Sequence, residues 1–226
     1  MMKIHIKNGR LIDPKQGVDT VQDIFISKGK IIAIGTAPNE FQPSRVIDAE
    51  SLIVCPGLVD LSVRLREPGL EYKATLESEM EAAVAGGVTS FACPPDTDPP
   101  LDEPGLVEML KHRAKNLNRA HVYPIGALTQ GLRGERLTEM AELNDAGCVV
   151  FGQPDGLLPN LRVLMQAMRY ASTFTFSVWL RPQEISLTND GVAHDGEVAT
   201  RLGLPTVPVC AETIAISNII LLAKET

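Results

Sequence analysis

The chain has 226 residues, 44% of them hydrophobic, and a formal net charge of −7 at pH 7. That length fits one large domain or a domain with a small companion, and the apolar content is ample for a core and argues against disorder. The acidic balance argues against a nucleic-acid partner.

Four cysteines, none in a Cys-x-x-Cys pair, read as reduced core thiols of a cytosolic protein. No apolar run approaches the ~18 residues of a membrane span, and the N-terminus alternates too strictly for a signal peptide. The expectation is a cytoplasmic protein without a membrane partner.

Residues 1–55 read as a small β-subdomain. Ile4 and Ile6 alternate with polar residues, and Asn8-Gly9 is a turn signal. Residues 24–26 and 31–35 form a predicted hairpin with Gly29 near its turn, and residues 45–48 and 52–54 add two short strands. From residue 56 to 226 the pattern changes to strand, helix, strand, helix. Strands are predicted at 58–65, 88–93, 121–128, 148–152 and 174–180; helices at 71–85, 103–117, 137–146, 160–172 and 211–224. Repeated βα units with apolar strands imply a parallel sheet covered by helices, either doubly wound or a (β/α)8 barrel. No Gly-x-Gly-x-x-Gly follows the first strand, which disfavours a dinucleotide-binding sheet.

The stretch 59–69 carries the strongest chemical signal. On a strand, Ser62, Arg64 and Arg66 share one face and Leu61, Val63 and Leu65 the other. Arginines on a buried strand need partners. Structural pairing with acids and a binding site are both open on this evidence. The four histidines, His5, His112, His121 and His194, show no ligand-like spacing.

Pro56-Gly57-Leu58-Val59-Asp60, followed by Leu65-Arg66-Glu67-Pro68-Gly69, resembles the first barrel strand of dihydroorotases in the amidohydrolase superfamily. Gly86-Gly87-Val88-Thr89, Arg201-Leu202-Gly203-Leu204-Pro205 and Ala211-Glu212 extend the resemblance along the chain. It implies a TIM-type (β/α)8 barrel preceded by a small β-subdomain. About five βα units are present, too few to close eight strands. The C-terminal strands are therefore expected outside this chain, either because it is a fragment or because another chain completes the barrel.

In active members of that family the positions of Ser62 and Arg64 are metal-binding histidines, and so is that of Arg181. The family's metal-bridging aspartate falls at Gln153 or Pro154. Asp155-Gly156 matches beyond it, and Gln183 and Glu184 stand where the family has an acidic pair. Pro95-Asp96-Thr97-x-Pro99-x-x-Asp102 resembles the family's Pro-Asn-Thr-x-Pro-x-x-Asp, with Asp96 in place of a substrate-binding asparagine. Arg66 is retained at a position the family uses for the substrate carboxylate. Ser62, Arg64, Gln153, Pro154 and Arg181 thus read as a degenerate metal site, Arg66 and Asp96 as vestigial substrate positions, with no catalytic residue and no metal cofactor. Arg64 or Arg181 is expected to pair with Asp60, Asp96 or Asp155, because a guanidinium can replace lost metal charge.

The resemblance is nearest to non-catalytic dihydroorotase-like proteins, which implies a structural partner role with aspartate transcarbamoylase in pyrimidine biosynthesis, as a homo-oligomer or hetero-oligomer. The alternative is a zinc-dependent dihydroorotase or related cyclic amidohydrolase with unrecognised ligands. A third, weaker one is a metal-free enzyme that reuses Arg64, Arg66 and Arg181 to hold an anionic substrate.

Overall fold

The computed structural model describes residues 2–153, 160–188 and 190–226. The chain divides into two compact units, residues 1–57 and 58–226.

The first unit carries two small sheets. One contains β1 (Lys3–Lys7), with the order β5-β4-β1-β6; the other contains β2 (Arg10–Asp13) between β3 (Val18–Val21) and β7 (Ile53–Val54). β4 (Ile24–Ser27) and β5 (Lys30–Ile34) form the expected hairpin around Lys28-Gly29, and β6 (Arg45–Asp48) runs parallel to β1. The β2–β3 hairpin was not anticipated, because its two four-residue strands are too short and polar to show a period. The buried residues are few: Leu11, Ile24, Phe25 and Ala49. His5 stacks on Phe25 at 4.5 Å between ring centroids and meets Asp23 at 2.8 Å. The Asn8 N–H and then His5 hold the Asp23 carboxyl below its ordinary range.

In the second unit β8 (Leu58–Asp60), β9 (Val88–Cys93), β10 (His121–Ala127), β11 (Val150–Gln153) and β12 (Val178–Leu180) form one parallel sheet in strict chain order. A doubly wound sheet reverses its order at a switch point; a barrel wall does not. Four helices follow the first four strands: α1 (Leu76–Ala85), α2 (Pro104–Leu117), α3 (Met140–Ala146) and α4 (Leu161–Thr173). Their starts are written locally. Thr75 and Ser78 make a reciprocal capping box on α1, Pro104 opens α2, and Asn160 Oδ1 accepts the Val163 N–H of α4 at 3.0 Å. Beyond β12 lie α5 (Ile185–Thr188), the two-stranded β13 (Ala193–His194) and β14 (Thr206–Val207), α6 (Glu197–Leu202) and α7 (Cys210–Glu225). Of these only α7 was foreseen.

The strand period sorts the core into two faces. Phe91, Cys93 and Phe151 pack with Leu76, Met80, Leu110 and Leu143 under the helices, while Ala92, Ile125 and Val150 cluster on the other face. Two predicted strands are shorter than expected. The first leaves the ladder after Asp60, whose Oδ1 accepts the Ser62 N–H at 2.9 Å and turns the chain; Val63 N–H then reattaches to Ala92 O at 2.9 Å. The fifth begins at Val178, because Phe174 still ends α4 and stacks on Phe176. Among the described residues no helix is long and apolar enough to cross a membrane.

The cysteines correct another expectation. All four are free, but only Cys93 and Cys148 are buried; Cys55 and Cys210 are exposed. Burial pushes the Cys93 and Cys148 thiols up to about 12. In native protein at pH 8 an aromatic disulfide reagent should titrate Cys55 and Cys210 promptly and the other pair only after denaturation. An unfolded thiol ionises near pH ~8.5. Above that pH the unfolded chain loses protons that the fold retains. Stability should therefore be undiminished by these groups below about pH 8.5 and fall as pH rises toward 12, by at most ~1.4 kcal/mol per pH unit per thiol. Urea midpoints at pH 7.5 and 9.5, compared with Cys93→Ala and Cys148→Ala, check the sign.

Candidate functional site

The candidate site lies at the C-terminal ends of the five parallel strands, where α/β sheets place their ligands. A cleft of about 160 Å³ opens there, lined among others by Ser62, Arg64, Gln153, Trp179 and Arg181. Ser62 and Arg64 come from the segment after β8, and Arg181 directly follows β12.

Arg64 meets an acid, as expected. Its Nε donates to Asp96 Oδ2 at 2.6 Å, with both side chains about a quarter to a third exposed. Arg66 Nη1 lies 3.9 Å from the same oxygen. Arg66 does not share a regular strand face with Arg64, because it sits at φ 61°, in the left-handed region, six residues past the end of β8. Asp60 is occupied by its own turn. Pro154 and Asp155 lie outside the described residues.

Gln153 is buried, and both its amide oxygen and its amide nitrogen are bonded. Thr129 Oγ1 donates to its Oε1 at 3.1 Å, and its Nε2 donates to Leu132 O at 2.9 Å. It anchors the loop after β10. The retained motif residues serve the loops in the same way. Thr97 Oγ1 donates to Pro99 O at 2.8 Å, and Asp102 Oδ2 accepts the Gly131 N–H at 2.6 Å. Gln183 and Glu184 border a separate hollow against α4 and α7 rather than the cleft, and Glu184 Oε1 accepts from Ser186 Oγ at 2.8 Å.

Two residues were missed. Trp179 lines the cleft, and its place on the last strand could have suggested it. Glu67 is 4% exposed, accepts the Leu76 N–H at 2.7 Å through Oε2 and pairs with Arg113 through Oε1. It sat inside a quoted motif, yet its partners lie 9 and 46 residues on. A larger groove of about 500 Å³, lined by Lys111, Lys115, Arg119 and His121, lies at the opposite end of β10 and shares no residue with the cleft.

A family model described as dihydro-orotase-like matches residues 51–226. The chain belongs to the dihydroorotase-like family. A dihydroorotase-like protein of Pseudomonas putida is 48% identical over 99% of the chain, and one of Pseudomonas aeruginosa is 46% identical over 99%. A dihydroorotase of Syntrophotalea carbinolica is 40% identical over 100%. The chain spans about half, 53%, of the length of each of these relatives. An L-hydantoinase from Arthrobacter aurescens superposes with a TM-score of 0.79 at 22% identity, over 100% of this chain and 51% of that one. The likeness carries the fold alone, a partial TIM-type barrel.

The binuclear metal centre implied by the dihydroorotase-like resemblance does not fit these side chains. A guanidinium only donates hydrogen bonds, so Arg64 on Asp96 and Arg181 cannot ligate a cation. The oxygen of Gln153 is already engaged. Among the described residues no three His, Cys, Asp or Glu side chains converge. His5 lies in the first unit, His112 bonds Asn116 on α2, His121 opens β10 and His194 lies in β13.

Proposed function

We propose that this chain is a catalytically silent dihydroorotase-type domain of pyrimidine biosynthesis and a structural partner of aspartate transcarbamoylase. The observation that carries the first part is the Arg64–Asp96 ion pair at 2.6 Å, a fixed cation where the resemblance puts a metal-binding histidine. The pair provides charge and volume without a Lewis acid, so no water is activated there. The partner rests on the resemblance to non-catalytic members alone; the relatives at 46–48% identity are named dihydroorotase-like.

A second reading has an observation of its own: relatives at 40% identity are named dihydroorotases. On that reading the chain belongs to a zinc-dependent dihydroorotase or related cyclic amidohydrolase. Two measurements decide. Purified protein dialysed against zinc should hold less than stoichiometric metal and leave dihydroorotate unhydrolysed above the no-enzyme rate; bound zinc with turnover would overturn the silent reading. Co-expression with aspartate transcarbamoylase should yield one complex by size exclusion, and two separate peaks would remove the partner role.

A further inference from the structure

We infer that the basic groove at the N-terminal end of β10 docks an extended, acidic segment of a partner protein. It shares no residue with the cleft, so the inference stands whether or not the cleft is silent.

The groove lies where two neighbouring strands start at different heights. β10 begins at His121, whereas its register with β11 begins only at Ile125. Among the described residues, His121, Val122 and Tyr123 therefore have a partner strand on the β9 side alone, opposite Ser90, Phe91 and Ala92. All three line the groove. Successive side chains of a strand point to opposite faces. Val122 packs against the core beneath the helices, while Tyr123 stands level with Ala92 of the other face. A groove lined from both faces of one strand crosses the open edge of that strand. Such an edge is a template for a further strand, and at ~3.3 Å per residue it offers about 10 Å, enough to pair a short extended segment.

Charge selects the segment. Lys111, Lys115 and Arg119 line the same groove, and no Asp or Glu is among the described lining residues. Lys111 Nζ donates to Ala146 O at 3.0 Å, a neutral carbonyl that uses one of its three N–H donors. Arg119 pairs with Glu81 at 3.1 Å, with both side chains half exposed. Lys115 makes no hydrogen bond or ion pair among the described residues. Its neighbours three and four places along the chain are Lys111, His112, Asn118 and Arg119, none of them acidic. Like charges four apart on a helix repel, so Lys111 and Lys115 on α2 gain from a carboxylate that arrives from outside. The one acid on α2, Glu108, lies outside the lining. Tyr123, 43% exposed, offers an aromatic surface to the side chains between the acids. The matching segment alternates acidic and apolar residues, which an extended chain sends to opposite sides.

The probe is a short fluorescein-labelled peptide of alternating Glu and Val. Its anisotropy is titrated with the full chain at low ionic strength, where exposed charges are least screened. Saturable binding is expected. It should weaken about two- to fivefold with Lys115→Gln and about tenfold or more with Lys115→Glu. Lys73→Gln, which removes an ammonium held over the Tyr72 ring, should leave it unchanged. Lys115 has no bond to lose, so the urea midpoint of Lys115→Gln should stay close to that of the parent. A Gln-Val peptide should not saturate. A Glu-Pro peptide should bind at least about tenfold more weakly, because proline cannot donate to a ladder. The inference is overturned if the Glu-Val peptide does not saturate, if Lys115→Glu leaves its affinity unchanged, or if the Gln or Pro version binds as well. Calorimetric binding of inorganic tripolyphosphate without binding of the peptide would mark a small-anion site and equally overturn it.

Discussion

Replacing Glu67 by alanine is expected to destabilise the 58–226 unit by about 2–4 kcal/mol. The carboxylate is 4% exposed and joins three segments. It belongs to the loop after β8, its Oε2 accepts the N–H of Leu76 at the first position of α1, and its Oε1 pairs with Arg113 on α2. The two bonds differ in weight. Arg113 is half exposed, so its charge returns to water when the acid is removed and its share is small. The Leu76 N–H stays behind in a residue that is 1% exposed, and an unsatisfied buried donor costs about 1–3 kcal/mol. Loss of an anion at a helix N-terminus adds a few tenths of a kcal/mol or more. Glu67→Gln keeps the shape and one acceptor and should lose about half as much. Urea midpoints at unchanged m-value measure this, with the surface variant Glu77→Ala as reference. A Glu67→Ala protein within ~0.5 kcal/mol of the parent would refute the assignment.

The βα rhythm of residues 58–226 was legible because each helix carries its own stop or start signal and each central strand its apolar run. Gly86-Gly87 after α1 and Asn160 before α4 are local facts, visible at their own positions. The pairing of Arg64 with an acid was legible for a different reason: a cation at a former ligand position needs a counter-charge, and few acids lie near it in the motifs. What escaped depends on side chains acting at a distance. Asp60 captures the Ser62 N–H and pulls the segment off the ladder, which no period of two can show. Gln153 was read as a lost metal ligand, and its bonds to Thr129 and Leu132 reach 24 and 21 residues back to a loop with no pattern of its own. The exposure of Cys55 and Cys210 was hidden because apolar neighbours in sequence do not report burial.

Gly69→Ala should be at least as damaging, by about 3 kcal/mol or more, and the reason is what lies opposite. Gly69 sits at φ +89°, and a β-carbon built on it would run into the backbone of Asp98. Left-handed strain alone is worth ~1–2 kcal/mol for an L-residue. The clash adds to it because backbone cannot step aside independently. Asp98 N–H donates to Pro68 O at 3.0 Å, and Leu101 N–H to Pro95 O at 3.1 Å, so the two loops are tied where the methyl must go. Relief would shift residues 95–101 together and carry Asp96 away from Arg64. Gly147 is the control that separates clash from strain. It too has a positive φ, +115°, but the atoms it would meet belong to the end of the Lys111 side chain, which can swing into solvent at the expense of one bond to Ala146 O. Gly147→Ala should therefore lose about 1–2 kcal/mol, mostly strain. In the same urea series, a Gly69→Ala protein no less stable than Gly147→Ala would show that the loops are not held together at Asp98.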